Sequence, residues 1–495
     1  MFAFKMIVTA LVVPVALIGG CASVERSPGF GEVQSLAAEH GVTKVTWNQG
    51  TTDDKAAADS VAKLLADDLT ADAAVQVALL NNRNLQAVYE ELRIAQADLV
   101  QAGVLRNPVF DGSIRFVGSP ADNVIDLGIA FDFLDVFFIP MRKAVAQQQF
   151  DGAKIRVTGA VIDLAGETKG TFYELQAAMQ MLEVRRTTLA AYEASFDFAK
   201  RLRAAGNNTR LRVASEQALY EEARLAIVAA EERVIAMREE MNRLMGLFGT
   251  AGQWKITARL PDVPAEPLPS DTLEATAIKR SLDLKLTEGA VNVAARKLGI
   301  TKPLGVLSEL EVGATAERDG KWSAGPTVSL PIPIFSQGQP AVAKADAELR
   351  QAMHLHYAMA VEVRATVRTA YARMEASRGR AIDYRDTVLP LRQFIVDETQ
   401  KQYNGMFVSA FELLQTKRDQ VEAGRQYIEA VRDYWIARSQ LQQIAGGRLV
   451  RGGIAPSSPE SSFTPDSTNG GHSCLSHLFH VVRHCSAEPL WQARR

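Results

Sequence analysis

The chain repeats one pattern twice, about 200 residues apart, and this duplication constrains its fold more than any other feature. The segment ALLNNRNL in the first copy corresponds to AIKRSLDL in the second. Downstream, Gly206 in AAGNNTRL corresponds to Gly405 in YNGMFVSA. The tripeptide ending at Gly246 corresponds to the one ending at Gly446. Repeats of roughly 20 to 50 residues are typical of solenoids, whereas so long a unit indicates a duplicated half-molecule. Two such halves are suited to a symmetric wall or tube.

The N-terminus has the pattern of a secretory signal. Lys5 precedes an apolar run over residues 6–18, which ends in small residues and Cys21. The run is too short for a membrane-spanning helix. The sequence Ile-Gly-Gly-Cys resembles a bacterial lipobox, which predicts cleavage after residue 20 and lipidation of Cys21; the alternative is an ordinary signal peptide with a chance cysteine. Because Ala22 rather than Asp follows, outer-membrane sorting is favoured over inner-membrane retention.

Composition excludes several classes of function. A hydrophobic fraction of 47% and a charged fraction of 23% are globular values. A net charge of −2 without a basic cluster gives no reason to expect nucleic acid as a partner. No phosphate-binding loop, dinucleotide fingerprint, zinc-protease motif or nucleophile elbow is present, so we expect neither an enzyme nor a cofactor.

Changes in amino-acid composition divide the chain into segments. Residues 1–20 are the signal, and a Pro- and acid-rich linker separates the two copies. The predicted segments are a lipidated lead at 21–70, a first repeat at 71–250, a linker at 251–271, a second repeat at 272–447 and a disordered tail at 448–495.

Each repeat is predicted to contain a long helical hairpin. No proline occurs between Pro140 and Pro261, and Gly206 with Asn207 supplies a stop and turn between a helix at about 141–203 and its successor. The successor carries apolar residues in steps of three and four, typical of a helix–helix seam: Ile227, Ala230, Val234, Met237, Met241, Leu244 and Phe248. A similar stripe in the second copy comprises Val363, Val367, Ala370, Tyr371 and Met374. Pro390 should kink its helix or force the backbone to find other hydrogen bonds.

Two short segments with period-two alternation precede the long helices in each copy. They cover residues 110–116, 127–133, 309–317 and 322–330, and the turn Arg318-Asp319-Gly320-Lys321 joins the last two. Each half therefore contributes one strand hairpin with an apolar and a polar face.

Four strands cannot close a barrel, since about eight is the practical minimum. Open strand edges are not tolerated in lipid. If these hairpins enter a membrane, several chains must pool their strands; soluble hairpins covering a helical core are the alternative.

The order of these segments resembles the TolC-like outer-membrane efflux factors, in their lipoprotein branch. The likeness covers about residues 70–447 and is carried by ALLNNRNLQA, LRNPVF, AGNNTRLRVASEQALY, GPTVSLPIPIF and YNGMFVSAFELLQ, together with the duplication. It implies a mainly α fold with a small β part, in which a homotrimer pools twelve strands into a transmembrane β-barrel and twelve helices into an α-barrel tunnel. It also implies a chain anchored by lipid in the bacterial outer membrane, extending into the periplasm and meeting a periplasmic adaptor protein and an inner-membrane pump.

The same resemblance implies a gate near the second helical turn. By position, Tyr403 matches a pore tyrosine and Glu412 an acidic pore residue, whereas Val408 stands where some members have Arg and Gln415 where some have a second acid. We therefore expect fewer ionic links at this gate. A solvated helix residue at Glu412 and a packing aromatic at Tyr403 are the alternatives. The expected hairpin ends are Gly206, Asn207 and Gly405.

The expected function is a passive export duct, the outer-membrane channel of a tripartite efflux system. Stretches such as SLPIPIFSQGQ resemble the heavy-metal and copper branches, so such cations are candidate cargo; drugs or other small molecules are the alternative. An adaptor or coiled-coil scaffold lipoprotein is a further alternative, although it would have one hairpin rather than two. The tail holds residue types that bind zinc and copper(I), and a metal-capturing tail competes there with a disordered extension: His472, Cys474, His477, His480, His484 and Cys485.

Overall fold

The computed structural model describes residues 25–116, 123–132, 135–270, 272–304, 311–319, 321–329, 334 and 337–450. The signal sequence, Cys21 and the His- and Cys-containing tail lie outside these residues. None of the described helices is long and apolar enough to cross a membrane.

The described elements follow the same order in both halves. In chain order they are α1 (Phe30–Glu39), α2 (Thr52–Ala66), α3 (Ala71–Asn81), α4 (Arg83–Ala102), β1 (Val109–Arg115), β2 (Val124–Asp132), α5 (Asp135–Ala204), α6 (Arg210–Met245), a 3₁₀ turn (Gly249–Gly252), α7 (Leu273–Arg280), α8 (Leu282–Leu304), β3 (Glu311–Asp319), β4 (Lys321–Ser329), α9 (Gln339–Asp383), a π turn (Tyr384–Val388), α10 (Leu389–Asn404) and α11 (Ala410–Ala445). The run from α3 to α6 is thus repeated from α7 to α11. The predicted duplication and the mainly helical fold with four strands are confirmed.

The repeated octapeptides mark a helix break that is capped in the same way in each half. Asn82 ends α3 and its side chain accepts a hydrogen bond from Leu85 N at 2.9 Å, which caps α4. Ser281 caps α8 through Leu284 N at 3.1 Å. A side-chain acceptor at the break satisfies donors that the new helix leaves without a partner.

A glycine with positive φ follows the last long helix of each half and packs against the backbone at the helix break. Gly246 has φ +66°, and a Cβ there would lie 2.6 Å from the Asn81 carbonyl oxygen. Gly447 has φ +92°, and its Cβ would lie 2.4 Å from the Arg280 carbonyl oxygen. Only glycine fits such positions without displacing backbone. The second half therefore uses Gly447, one residue beyond the Gly446 expected from the sequence.

The long helices are packed along the predicted stripes, with one exception. Met241 and Leu244 of α6 are buried in the first core with Leu175 of α5, and Val234 and Met237 pack against it. Phe248 is 87% exposed, so its assignment to the stripe was wrong. The reason is that α6 ends at Met245, and the left-handed Gly246 turns the chain away. In the second half, Val363, Val367 and Met374 of α9 are buried as expected.

The backbone around Pro390 adapts without ending the helical path. Residues Tyr384–Val388 form a π turn, and α10 begins at Leu389 with Pro390 in its first turn. A proline has no backbone N–H, so one hydrogen bond of a regular helix is missing at Pro390. The π turn lies just before Pro390, where the hydrogen-bond pattern changes because of this missing bond. Local adjustment of the hydrogen bonds at this proline is thus confirmed.

The four strands form one antiparallel sheet in the order β1-β2-β3-β4. The central pair joins the halves, because β2 of the first copy pairs with β3 of the second. Strands β1 and β4 are the edges of this sheet. Each strand lies within a few residues of its predicted position. Alternation of apolar and polar residues separates the two faces only when the chain is extended, so it marks strands directly.

Candidate functional site: the strand sheet and the hairpin ends

The register places most of the apolar residues of the four strands on one face of the sheet, with Val109 and Val124 on the other. Phe110 is opposite Ile129, Phe131 is opposite Val312, and Val312 is opposite Val328. Paired residues of neighbouring strands point to the same side. The face also holds Ile114, Ile125, Leu127, Ala314, Ala316, Trp322, Ala324 and Pro326. Phe110 is 69% exposed and Val328 68% exposed, so this apolar face is uncovered in the single chain.

The end of this apolar face that carries the β3–β4 turn is bordered by residues suited to a membrane–water boundary. Arg318 lies on the apolar face opposite Trp322, at the end of β3. Trp is enriched at such boundaries, and a long Arg side chain extends its charge toward water. An apolar band with this border is typical of the lipid-facing side of a membrane strand.

The opposite face is polar and nearly free of bulky side chains in its middle. One cross-strand row contains Asp111, Gly128, Thr315 and Gly325. The next contains Ala130, Gly313 and Thr327, so β2 to β4 present nothing larger than threonine there. Near the β1–β2 end, Asp126 accepts from Ser113 Oγ at 2.9 Å and pairs with Arg115 at 2.8 Å.

The two helical hairpins end in turns with the same hydrogen bonds. Asn207 N bonds Leu202 O at 2.9 Å, and Phe407 N bonds Gln402 O at 2.9 Å. The left-handed residue is Gly206 (φ +79°) in the first turn and Met406 (φ +64°) in the second. Gly405 has φ −81°, so the structural counterpart of Gly206 is Met406, one residue beyond the sequence pairing. A left-handed methionine is strained, because its Cβ crowds the carbonyl oxygen.

The helices that leave the two turns begin with equivalent caps. Thr209 accepts from Arg212 N at 3.2 Å, and Ser409 accepts from Glu412 N at 3.3 Å. Arg212 and Glu412 therefore occupy the same place in their helices with opposite charge. Glu412 lies in a first turn, where a carboxylate is favoured by the helix dipole.

The two candidate gate residues lie on either side of the second turn. Tyr403 is 38% exposed near the end of α10, and Glu412 is in the first turn of α11. Within the described part of the chain, neither side chain hydrogen-bonds or pairs with another residue. The structure places both at the hairpin end, and their gate role stays a prediction.

A buried ionic cluster near the same end was not anticipated from the sequence. The Glu216 side chain of α6 is 3% exposed, and it binds Arg418 of α11 at 2.7 Å and Arg212 at 3.4 Å. Ser195 Oγ of α5 donates to the same carboxylate at 2.6 Å. The Arg418 guanidinium also lies 4.5 Å from the Tyr192 ring centroid. The cluster ties the second hairpin to the first. No short-range signal reveals a pair 202 residues apart.

A cavity between the two hairpins lies beside this cluster. It has a volume of about 570 Å³, and its lining includes Tyr192, Arg418, Glu222 and Arg425. Arg425 pairs with Glu422 and Glu429 of its own helix, and these contacts raise the pKa of its guanidinium further above its ordinary value. The hairpins are thus joined at Arg418, with a cavity next to this contact.

The predicted lipidation site and metal tail cannot be located, since Cys21, His472, Cys474, His477, His480, His484 and Cys485 lie outside the described residues. Among residues that are described, no group of three or more His, Cys, Asp or Glu is arranged to hold a metal ion.

Comparison with known proteins identifies the family. The sequence matches the family described as outer membrane efflux protein over residues 74–247 and 304–447. The two matched stretches correspond to the two copies of the repeat and together cover more than half of the chain.

Individual relatives agree with this match. The chain is 24% identical over 351 residues to the toluene efflux pump outer membrane protein TtgC of Pseudomonas putida, covering 65% of this chain and 71% of the relative. Its fold resembles that of CusC, with a TM-score of 0.62 and 16% identity over 77% of this chain and 92% of CusC. It also resembles the CmeC outer membrane channel of Campylobacter jejuni, with a TM-score of 0.63 and 14% identity over 84% of this chain and 92% of CmeC.

These matches favour a channel over the adaptor or scaffold alternative, and they confirm that the chain is not an enzyme, since the family consists of passive efflux channels. With two matched halves, four strands in one sheet and two helical hairpins, the chain belongs to the outer membrane efflux protein family.

Proposed function

We propose that three copies of this chain form the outer-membrane exit duct of a tripartite efflux pump. The observation that carries this proposal is the four-stranded sheet, with one uncovered apolar face and two free edges. Free edges are not tolerated in lipid, so the sheet must pair with further strands to enter a membrane. Three sheets would supply twelve strands, an even number within the range of closed barrels.

A second uncovered surface supports assembly of the helices. Leu225, Val228 and Ile235 of α6 are 71%, 64% and 64% exposed and recur in steps of three and seven. Leu391 and Phe394 of α10 are 55% and 60% exposed. A heptad-spaced apolar stripe without a partner in its own chain is suited to a helix of a second copy.

The hairpin ends are the surface offered to an adaptor and pump, as the family resemblance implies. In this arrangement Tyr403 and Glu412 would face the same residues of neighbouring copies around the entrance. The Glu216–Arg418 cluster would hold the second hairpin against the first while the entrance is closed. Lipidated Cys21 would anchor the assembly in the outer membrane.

Two classes of cargo have support. The relative TtgC is named as part of a toluene efflux pump, which favours small organic molecules. The stretches resembling the heavy-metal branches favour metal cations such as copper. A deletion strain complemented with this chain separates the two, because survival on toluene and on copper salts would respond differently.

The duct itself is tested by membrane fractionation, mass measurement and electrophysiology. The purified protein in detergent should have three times the mass of one chain, and in a planar bilayer it should give stepwise conductance. A matched variant, Val328→Asp on the apolar face, should fail to insert, whereas Thr327→Asp on the polar face should insert normally. A monomer that makes no pores would contradict the proposal.

A further inference from the structure

The two hairpin ends differ in one chemically reactive dipeptide. In the second end Asn404 is followed by Gly405, whereas in the first end Asn207 is followed by Asn208, and Asn208 by Thr209. Asn404 is the last residue of α10, and both Asn404 and Gly405 are exposed. Because glycine has no Cβ, its backbone nitrogen can approach the side-chain amide carbon of the asparagine before it.

The reaction open to this pair is deamidation. The backbone nitrogen of Gly405 loses its proton and attacks Cγ of Asn404, which closes a succinimide ring and releases the side-chain nitrogen as ammonia. Water then opens the ring at either of its carbonyl groups, which gives aspartate or isoaspartate. In sum, one water is taken up and one ammonia is lost, and neither a cofactor nor an oxidant takes part.

One hydrogen bond at this turn favours the reaction, and another holds it back. Gln400 Nε2 donates to Asn404 Oδ1 at 3.1 Å, which polarises the side-chain carbonyl and stabilises the charge that develops on its oxygen. Gly405 N donates to Lys401 O at 3.0 Å, so the nucleophile is occupied while the turn is closed. Met406 has φ +64°, and the strain of a left-handed methionine favours opening. The rate of the reaction therefore depends on how often the turn opens.

We infer that Asn404 is a site of spontaneous deamidation, which proceeds when the strained second turn opens and gives this hairpin end an additional negative charge. The new carboxylate stands at the C-terminal end of α10, where the helix dipole disfavours an anion. The product should therefore loosen the second hairpin end and leave the first unchanged, because the side chains of Asn208 and Thr209 hinder the same attack there. The reaction requires only a single chain, so it is independent of the proposed duct.

Peptide mass analysis tests this on the full-length protein in detergent, kept for days in warm, mildly alkaline buffer. The peptide that carries Asn404 should gain the mass difference between an amide and an acid, in two products that chromatography separates. The peptide that carries Asn207 and Asn208 is the matched control and should keep its mass. Met406→Gly relieves the strained turn and should slow the conversion several-fold.

The same protein unfolded in guanidinium chloride gives the intrinsic rate of the Asn404–Gly405 pair. If Asn404 stays intact in the folded protein while the unfolded chain is converted, the turn protects the pair and the inference is wrong. Equal rates in Met406→Gly and wild type would remove the dependence on turn opening.

A second measurement tests the effect of the product. Asn404→Asp reproduces one of the two products, and amide hydrogen exchange in the last turn of α10 should be faster in this variant than in wild type. Unchanged exchange would contradict the loosening of the hairpin end. The mass analysis of the wild type decides the modification itself even where a variant fails to fold.

Discussion

Glu216 is the residue whose environment differs most from what its sequence context suggests. A glutamate near the start of a charged helix is ordinarily solvated, yet the Glu216 side chain is 3% exposed and pairs with Arg418. Breaking a buried pair costs about 3 to 5 kcal/mol when the remaining charge has no other partner. Because Arg212 and Ser195 still contact Glu216, we expect Arg418→Gln to destabilise the assembled protein by less than this, about 2 kcal/mol, measured by thermal unfolding in detergent.

The control for this prediction is an exposed ion pair between the two helices of the first hairpin. Arg186 and Glu231 lie 3.1 Å apart but are 62% and 47% exposed. Arg186→Gln should cost less than about 1 kcal/mol, as exposed pairs do. Equal effects of the two substitutions would show that the buried cluster contributes no more than a surface contact.

His40, at the end of α1, should make the stability of the fold depend on pH. Burial lowers the pKa of its imidazole below the usual value near 6.5, the cations of Lys285 and Arg280 lower it further, and Glu39 opposes them. A lowered folded-state pKa means that the unfolded chain binds the proton more tightly. This contribution to stability is therefore complete above about pH 6.5 and is lost as pH falls through the folded-state pKa.

We expect the unfolding temperature of the wild type to fall between pH 7.5 and pH 5.5 more than that of His40→Gln. His354→Gln, at an exposed position of α9, is the matched control and should keep the wild-type slope. An identical pH dependence in His40→Gln and wild type would exclude this residue as the cause.

At the scale of elements, the features predicted correctly from the sequence are those that a short-range pattern marks. Alternation located the four strands, and the Gly-Asn turn located the first hairpin end, because these signals lie within a few residues. The one-residue shift to Met406 was missed, since methionine rarely adopts a positive φ. The Glu216–Arg418 pair was missed because it depends on how two hairpins pack, and the gate positions Tyr403 and Glu412 still rest on resemblance alone.

The second hairpin turn should be more easily opened than the first. Met406 adopts the conformation that Gly206 adopts without strain. We expect Met406→Gly to strengthen this turn by about 1 kcal/mol, the scale of the left-handed penalty. Slower amide hydrogen exchange at residues 405–409 would show it, and the reciprocal Gly206→Ala should speed exchange at 205–209. Unchanged exchange in both variants would mean that the turns open by another route.

The α6 stripe should govern assembly without affecting the fold of one chain. Leu225 is 71% exposed, so Leu225→Glu disturbs no internal packing. We expect this variant to keep its helical circular dichroism and to lose the trimer in light scattering. Glu221→Gln on the neighbouring turn should assemble normally. A trimeric Leu225→Glu protein would place the contact between copies elsewhere.

At the scale of the whole molecule, we expect the proposed duct not to need the residues beyond Val450. The family match ends at residue 447, and the compact unit ends at Val450. Arg448 closes that unit: it pairs with Asp163 of α5 at 2.6 Å and with Asp283 of α8. These contacts between the two halves therefore include Arg448, the first residue of the predicted tail.

A chain that stops after Val450 should consequently form the same trimer with the same conductance as the full chain. The predicted metal tail adds a second measurement, in which both proteins are titrated with Zn(II) and Cu(I). Affinity tighter than millimolar in the full chain, absent from the shortened chain, would assign metal capture to His472, Cys474 and their neighbours. Equal affinities would remove the tail from consideration. Lost conductance in the shortened chain would instead show that the tail belongs to the duct, because the channel contacts up to Arg448 would then be insufficient.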